Sequence, residues 1–306
     1  MKRDFLTLAS WSATELRRLL ELAGRCKRSP RAYASALSGK TLALVFQKPS
    51  VRTRVSFEVA IRQVGGSAIY LGPEDVYLGK REPTKDVART LARYVDAIVA
   101  RTFSHQDVEE FARYASVPVI NGLSDAHHPC QALADLFTVQ ERVGRLKGAT
   151  LAYVGDGNNV LHSLAEGAGL LGLALRVATP PRYRPQAAIW RQAVQHAARS
   201  GGRLTWCENP REAVKGADVI YTDVWTSMGY EREGAVRRKA FRAFQVNQAL
   251  VKQANRGCVI MHCLPAHRGE EITDDVVEGR QSMVFDQAEN RLHAHKALLL
   301  TLLKGV

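Results

Sequence analysis

Short apolar runs alternate along this chain with stretches whose apolar residues recur at helical spacing. The runs TLALVF (41–46), SAIYLG (67–72), DAIVAR (96–101), VPVING (117–122), TLAYVG (150–155), LALRVA (173–178), DVIYTD (218–223) and CVIMHC (258–263) read as strands. They are rich in β-branched or aromatic residues and close near Gly, Pro or polar positions. Between them, Phe57, Ile61 and Val64 mark the apolar face of a helix closed by Gly65-Gly66. Leu16, Leu19, Leu20 and Leu22 mark an earlier helix, with Ser12 or Thr14 available to cap it. That opening stretch therefore reads as the start of the fold and not as a cleaved signal. Alternation of this kind predicts an α/β protein of parallel sheets flanked by helices. No internal repeat or low-complexity tract breaks the pattern.

At 306 residues, two domains are expected. In ERVGRLKGATLAYVGDG a helix ends and a buried strand begins, which sets a boundary near residue 145. The expected units are 1–144 and 145–286, each a parallel sheet with flanking helices and with a cleft between them. Ligands bind at the carboxyl ends of such strands. The closing stretch AENRLHAHKALLLTLLKGV reads as a helix (287–304) that could pack back on either domain, the first being the expected one.

Composition narrows the function classes. An apolar fraction of 46% is that of a globular protein with its own core. No apolar run approaches the ~18 residues of a membrane span, so no membrane partner is expected. Cys26, Cys130, Cys207, Cys258 and Cys263 are widely spread and contain no C-x-x-C, which suggests free thiols in a reducing cytoplasm and no zinc site. A formal charge of +13 would suit a nucleic-acid binder, yet the basic residues are scattered and no recognition module is evident. The densest cluster, GAVRRKAFRAF (234–244), reads as a solvated helix face, and no nucleic-acid partner is expected.

Several stretches carry candidate chemistry. KPSVRTRVSFE (48–58) follows a strand end and opens a helix, whose free N–H groups and positive dipole end suit an anion. Ser50 and Thr53 add hydroxyls, and Arg52 adds a planar fork matched to phosphate oxygens. Read alone, the same stretch is equally a capped helix with solvated arginines. In HHPCQALAD, Pro129 suits a first helical turn, so His128 stands just before a helix N-terminus, where the dipole disfavours its charged form. A neutral His128 can donate to a carbonyl oxygen, with Gln131 one turn on; a structural cap is the plainer reading. GDGNNV (155–160) resembles a dinucleotide turn only weakly. It lacks the third glycine, and the next strand carries no acidic end. Asn158 and Asn159 are placed instead to present amides. DVWTSMG puts Asp223, Ser227 and Met228 after a strand, where a carboxylate could hold an amine or merely belong to a polar loop. HCLPAHRGEE aims Cys263 through a Leu264-Pro265 turn; a nucleophile paired with His128 or His262 is conceivable, although lone cysteines are commonly inert.

Taken in order, KPSVRTRVSFE, HPCQALAD, DVWTSMG and HCLPAHRGEE resemble the motifs of the aspartate/ornithine carbamoyltransferases, and of their ornithine branch in particular. The likeness runs to FDQAENRLHAHKALL. It implies one domain for carbamoyl phosphate and one for L-ornithine, with citrulline and phosphate as products, in arginine metabolism. It also implies a homotrimer with active sites at the subunit interfaces, and neither metal nor organic cofactor. Carried over residue by residue, Ser50, Val51, Arg52 and Thr53 cradle the phosphate. Arg101, ending DAIVAR, joins Arg52. His128 and Gln131 contact the carbamoyl group, and Arg291 reaches carbamoyl phosphate. Asn159, Asp223, Ser227 and Met228 bind ornithine, while Cys263 and Leu264 close over the substrates. The catalytic set is Arg52, Arg101, His128 and Cys263.

Two positions depart from the family pattern. Val51 stands where threonine is usual, and Tyr77, counted among the carbamoyl-phosphate-binding residues, replaces a glutamine or histidine that reaches carbamoyl phosphate across subunits. A sister carbamoyltransferase with another amine or amino-acid acceptor is the nearest alternative, and a catalytically dead paralogue is a further one. An intact Ser-Met-Gly loop argues against putrescine. A second carboxylate would want a cation where Asp223 and Cys263 stand, which argues against aspartate.

Overall fold

A computed structural model of the chain describes residues 2–78, 82–226 and 231–305. They fold into two compact units: residues 1–137 with 289–306, and residues 138–288.

In the first unit, β1 (Thr41–Phe46), β2 (Ser67–Leu71), β3 (Ala97–Arg101) and β4 (Val119–Leu123) form a parallel sheet in the order β2-β1-β3-β4. The central strands are continuous apolar runs, as burial on both faces demands: β3 is buried throughout and β1 at every residue after Thr41. Phe57, Ile61, Ile98 and Phe111 are fully buried among them. Ser12 caps the first helix, Ala13–Arg28, in a capping box with Glu15. Neighbour order reverses between β1 and β3, and the register pairs Phe46 with Arg101. The helix Val51–Gln63 starts beside that pair, so the carboxyl edge of the sheet presents Arg101 next to a helix N-terminus. The Gln47 N–H donates to the Arg101 carbonyl at 2.8 Å and ties the turn to β3. The C-terminal helix Val284–Lys304 runs into this unit from residue 289 onward.

The second unit holds β5 (Thr150–Val154), β6 (Ala174–Ala178), β7 (Arg203–Cys207), β8 (Val219–Thr222) and β9 (Val259–His262), parallel and ordered β7-β6-β5-β8-β9. Here the order reverses between β5 and β8, and the carboxyl ends of those strands lead to Asn158 and Asp223. Trp225, Phe241, Phe244, Ile260 and Ile272 pack one side of the sheet.

The expected α/β class of two parallel-sheet units holds. One strand, β7, lies outside the eight expected runs. Its residues RLTWC open on an exposed arginine and are interrupted by Thr205, so it lacks the apolar run that marks the others.

Candidate functional site

At the switch point of the first unit, Ser50 caps the helix Val51–Gln63, its side chain accepting from the Thr53 N–H at 3.3 Å. Val51 opens the helix with its side chain 77% exposed, whereas Thr53 is buried. Into this turn comes Arg291, itself buried, from the C-terminal helix. Its Nη2 donates to Thr53 Oγ1 at 3.0 Å and its Nη1 to Gln131 Oε1 at 2.5 Å. Gln131, on the helix Pro129–Val143, is held in turn by donating from Nε2 to Asp135 Oδ1 at 2.8 Å. Segments far apart in sequence thus meet around one guanidinium.

Like charge crowds this place. Arg101 is buried, and its pKa is pushed down to about 9, first by burial and then by the cations Arg291 and Arg52. Its Nε has no hydrogen-bond partner among the described residues. His128 is held well below the ordinary histidine range by burial, then by Arg291, Arg101, His295 and Arg52. It is therefore neutral at neutral pH and can donate to an uncharged oxygen, but it cannot serve as a resident cation. Buried cations with a missing partner disfavour an empty site and favour an arriving anion, because a dianion supplies the charge and the acceptors together. Lys48, also buried, lies with Nζ 4.5 Å from the centre of the Phe103 ring.

Tyr77 ends the short helix Pro73–Val76 in the left-handed region (φ 42°), with its side chain about half exposed. Its phenol makes no hydrogen bond among the described residues.

In the second unit the site forms around Asp223, buried just past β8. Asn158 Nδ2 donates to Asp223 Oδ2 at 2.7 Å, and the Cys263 thiol donates to Oδ1 at 2.9 Å. Asn158 also caps the helix Asn159–Leu171, its Oδ1 accepting from Val160 and Leu161 N–H. It is the organiser of this corner, a role not assigned to it from sequence; Asn159 is the first helical residue, half-buried. Leu264 has a positive φ of 57° and precedes a cis peptide to Pro265. Its N–H donates to His262 Nδ1 at 2.8 Å, so the ring proton sits on Nε2 and points to Glu271 Oε1 at 3.0 Å. Ser227 and Met228 lie outside the described residues.

The ligand atoms of Asp223, His262 and Cys263 lie within 4.8 Å of one another. Both imidazole nitrogens and the thiol are already engaged as described, so this triplet does not have the open donors of a metal site. The glycine turn is likewise accounted for. A Cβ on Gly157 would stand 2.4 Å from the backbone of residues 183–185, and its N–H donates to the Tyr183 carbonyl at 2.9 Å. The glycine admits a neighbouring chain, and its amide is not free for a pyrophosphate.

The chain is thus a two-unit α/β protein with cations at the switch point of one unit and a buried carboxylate at that of the other. Residues 3–141 match the carbamoyl-P binding domain of aspartate/ornithine carbamoyltransferase, and residues 147–302 match its Asp/Orn binding domain. An ornithine carbamoyltransferase of Pyrococcus horikoshii is 55% identical over 306 residues, 99% of this chain and 96% of that protein. The solved ornithine carbamoyltransferase of Pyrococcus furiosus is 54% identical with a TM-score of 0.97, over 100% of this chain and 98% of that one. The anabolic enzyme of Campylobacter jejuni, at 38% identity, has a TM-score of 0.95 with 100% of each chain covered. The chain belongs to the aspartate/ornithine carbamoyltransferase family.

Proposed function

We propose that this chain transfers the carbamoyl group of carbamoyl phosphate to the δ-amine of L-ornithine, giving L-citrulline and inorganic phosphate. Carbamoyl phosphate is assigned to the first unit (1–137 with 289–306) and ornithine to the second (138–288), close to the expected 1–144 with 287–304 and 145–286. The observation that carries the reading is Arg291, which bridges Thr53 and Gln131 beside Arg101 and His128.

In this reading Ser50, Val51, Arg52 and Thr53 receive the phosphate through helix N–H groups, hydroxyls and guanidinium. Arg101 and Arg291 complete the anion site, and neutral His128 and Gln131 address the carbamoyl group. The uncharged δ-amine attacks the carbamoyl carbon, the carbonyl oxygen gathers negative charge, the bond from that carbon to the phosphate oxygen breaks, and the departing phosphate takes the proton that the amine gives up. Each well-placed donor to that oxygen is worth about 3 kcal/mol, and holding both substrates together contributes roughly 7 kcal/mol or more. Asp223, with Cys263 donating to it, receives the α-ammonium of ornithine, joined by Asn159, Ser227 and Met228. Cys263 and Leu264 contact the donor substrate as well. Carbamoyl phosphate is already activated, so Cys263 orients and forms no covalent bond. The reaction as written needs no metal or organic cofactor.

The chain is assigned to the cytoplasm, in keeping with five free thiols. Among the described residues no helix is long and apolar enough to cross a membrane. We assign it to a homotrimer whose subunits share active sites. Support comes from the edge strand β2, which leaves Ile69 half exposed close in sequence to exposed Val51, Val55 and Tyr77. Sedimentation at a single-chain mass would remove that part.

The test is citrulline formation with ornithine, putrescine, lysine, N-acetylornithine and aspartate supplied in parallel. Turnover with ornithine alone is expected. Turnover only with another amine would keep the donor half and overturn the roles of Asp223, Ser227 and Met228.

A further inference from the structure

His295 is fully buried, and its ring lies flat on Phe57, with centroids 3.7 Å apart and planes 8° apart. Its Nε2 accepts from Arg291 Nε at 3.4 Å. Arg291 thus donates from three different nitrogens to His295, Gln131 and Thr53, and each partner comes from a different stretch of chain. A nitrogen that accepts cannot carry the ring proton, so the proton belongs on Nδ1. Nδ1 is buried with no hydrogen-bond partner among the described residues. A leucine or phenylalanine would fill the same apolar place without leaving a buried donor unsatisfied. A histidine that leaves a donor unpaired and faces an arginine performs a task that packing alone does not require.

We propose that His295 is a positioning residue for Arg291: clamped on Phe57, it offers Nε2 as the acceptor that aims the guanidinium at an anionic substrate. The inference rests on the reading that Arg291 contacts carbamoyl phosphate. Burial and the neighbouring Arg291 both hold the ring in its uncharged form, the only form able to accept. Phe57 sets the ring plane, and the stack leaves one edge directed at Arg291.

Two substitutions separate acceptor from ring. His295→Phe keeps a flat ring against Phe57 and removes the acceptor; His295→Gln removes the ring and keeps an acceptor. His295→Phe is expected to raise the KM for carbamoyl phosphate about tenfold, with kcat within about twofold and the ornithine KM unchanged. His295→Gln is expected to stay within about threefold of the parent. The opposite order, with His295→Phe normal and His295→Gln impaired, would assign the ring to packing and overturn the proposal. Arg291→Lys is measured beside them. If it too leaves the carbamoyl-phosphate KM unchanged, the assignment of Arg291 fails; if it is impaired while His295→Phe is normal, only the role of His295 fails. Should either variant not fold, the parent still decides: 15N shifts of labelled histidine must report a proton on Nδ1 and a bare Nε2 near neutral pH. A proton on Nε2 overturns the proposal outright.

Discussion

Arg291 donates to the Thr53 hydroxyl at 3.0 Å across 238 residues of sequence, so the C-terminal helix is fastened to the first turn of the helix Val51–Gln63. The bond joins a cation to a helix N-terminus, two features that would repel each other without the intervening oxygen. An anion arriving at this turn therefore meets the dipole and the guanidinium together. Thr53→Val keeps the shape and deletes the acceptor. A charge-assisted bond of this kind is worth about 1.5–3 kcal/mol. We expect a roughly tenfold rise in the carbamoyl-phosphate KM with a modest fall in Tm. A lowered Tm with an unchanged KM would reduce the bond to a packing device.

Val51 tests the same cradle from outside. Its side chain is 77% exposed at the first helical position, so an added hydroxyl there costs little desolvation. Val51→Thr is expected to lower the carbamoyl-phosphate KM a fewfold, on the order of the 0.5–1.5 kcal/mol of one net hydrogen bond. An unchanged or higher KM would mean that backbone N–H groups already satisfy the phosphate.

Arg52 should be indispensable. In the proposed site a fork at a helix N-terminus would address two phosphate oxygens at once, and Arg52→Ala would remove both contacts. Activity is expected to fall at least about a hundredfold. Near-normal turnover would remove Ser50, Arg52 and Thr53 from the phosphate site.

How much of this was legible in the sequence follows from physical causes. Strands β1, β3, β5 and β8 are central and apolar on both faces, so their runs stand out; β7 (RLTWC) opens on an arginine and is broken by Thr205, whereas the edge strand β2 shows in its apolar residues although none is buried. Ser50 and Pro129 were readable as helix starts because capping and proline chemistry are local. The partner of Asp223 was not: Asn158 looks like any other cap until β5 and β8 are known to be neighbours. His295 was hidden for a similar reason. In sequence it is one of several polar residues in the first half of its helix, and only the meeting of three segments at Arg291 gives it an object. The Asp156–Arg237 pair links residues 81 positions apart, and no pattern within either segment announces it.

Acid should weaken the first unit through His128 and His295. Both have folded-state pKa values lowered by burial and neighbouring cations, so below the ordinary value of about 6.5 the unfolded chain takes up protons that the folded one refuses. Stability is then fully present above about pH 6.5 and is lost as the pH falls beneath it. His128→Asn should flatten the Tm–pH curve over that range and lower kcat about a hundredfold, the usual cost of losing one donor to a developing oxyanion. An acid limb that survives in both His128→Asn and His295→Gln would have to come from other groups.

Arg237 and Asp156 allow a pH test with the opposite sign. Arg237 Nη1 donates to Asp156 Oδ2 at 2.8 Å and to the Trp225 carbonyl at 2.9 Å, with both charged side chains buried. The Asp156 carboxyl is pushed up to about 6: burial raises it most, Arg237 pulls it down, and Asp223 raises it again. A carboxyl with a folded pKa above its unfolded value binds more protons when folded, so its contribution to stability grows as the pH falls. Arg237→Gln removes the cation that compensates Asp156 among the described residues and leaves its carboxylate with only the Gly157 N–H to offset Asp223. Breaking a buried pair costs about 3–5 kcal/mol where the remaining partner must stay charged. At pH 8 the variant should lose roughly that much in urea unfolding. At pH 5.5, Asp156 can take a proton and shed its charge, so the loss should be clearly smaller. The double variant Asp156→Asn/Arg237→Gln carries no charge to relieve and should show nearly the same loss at both values. A penalty for Arg237→Gln that is equal at pH 5.5 and 8 would mean that Arg237 acts by holding the Trp225 carbonyl and not by neutralising Asp156.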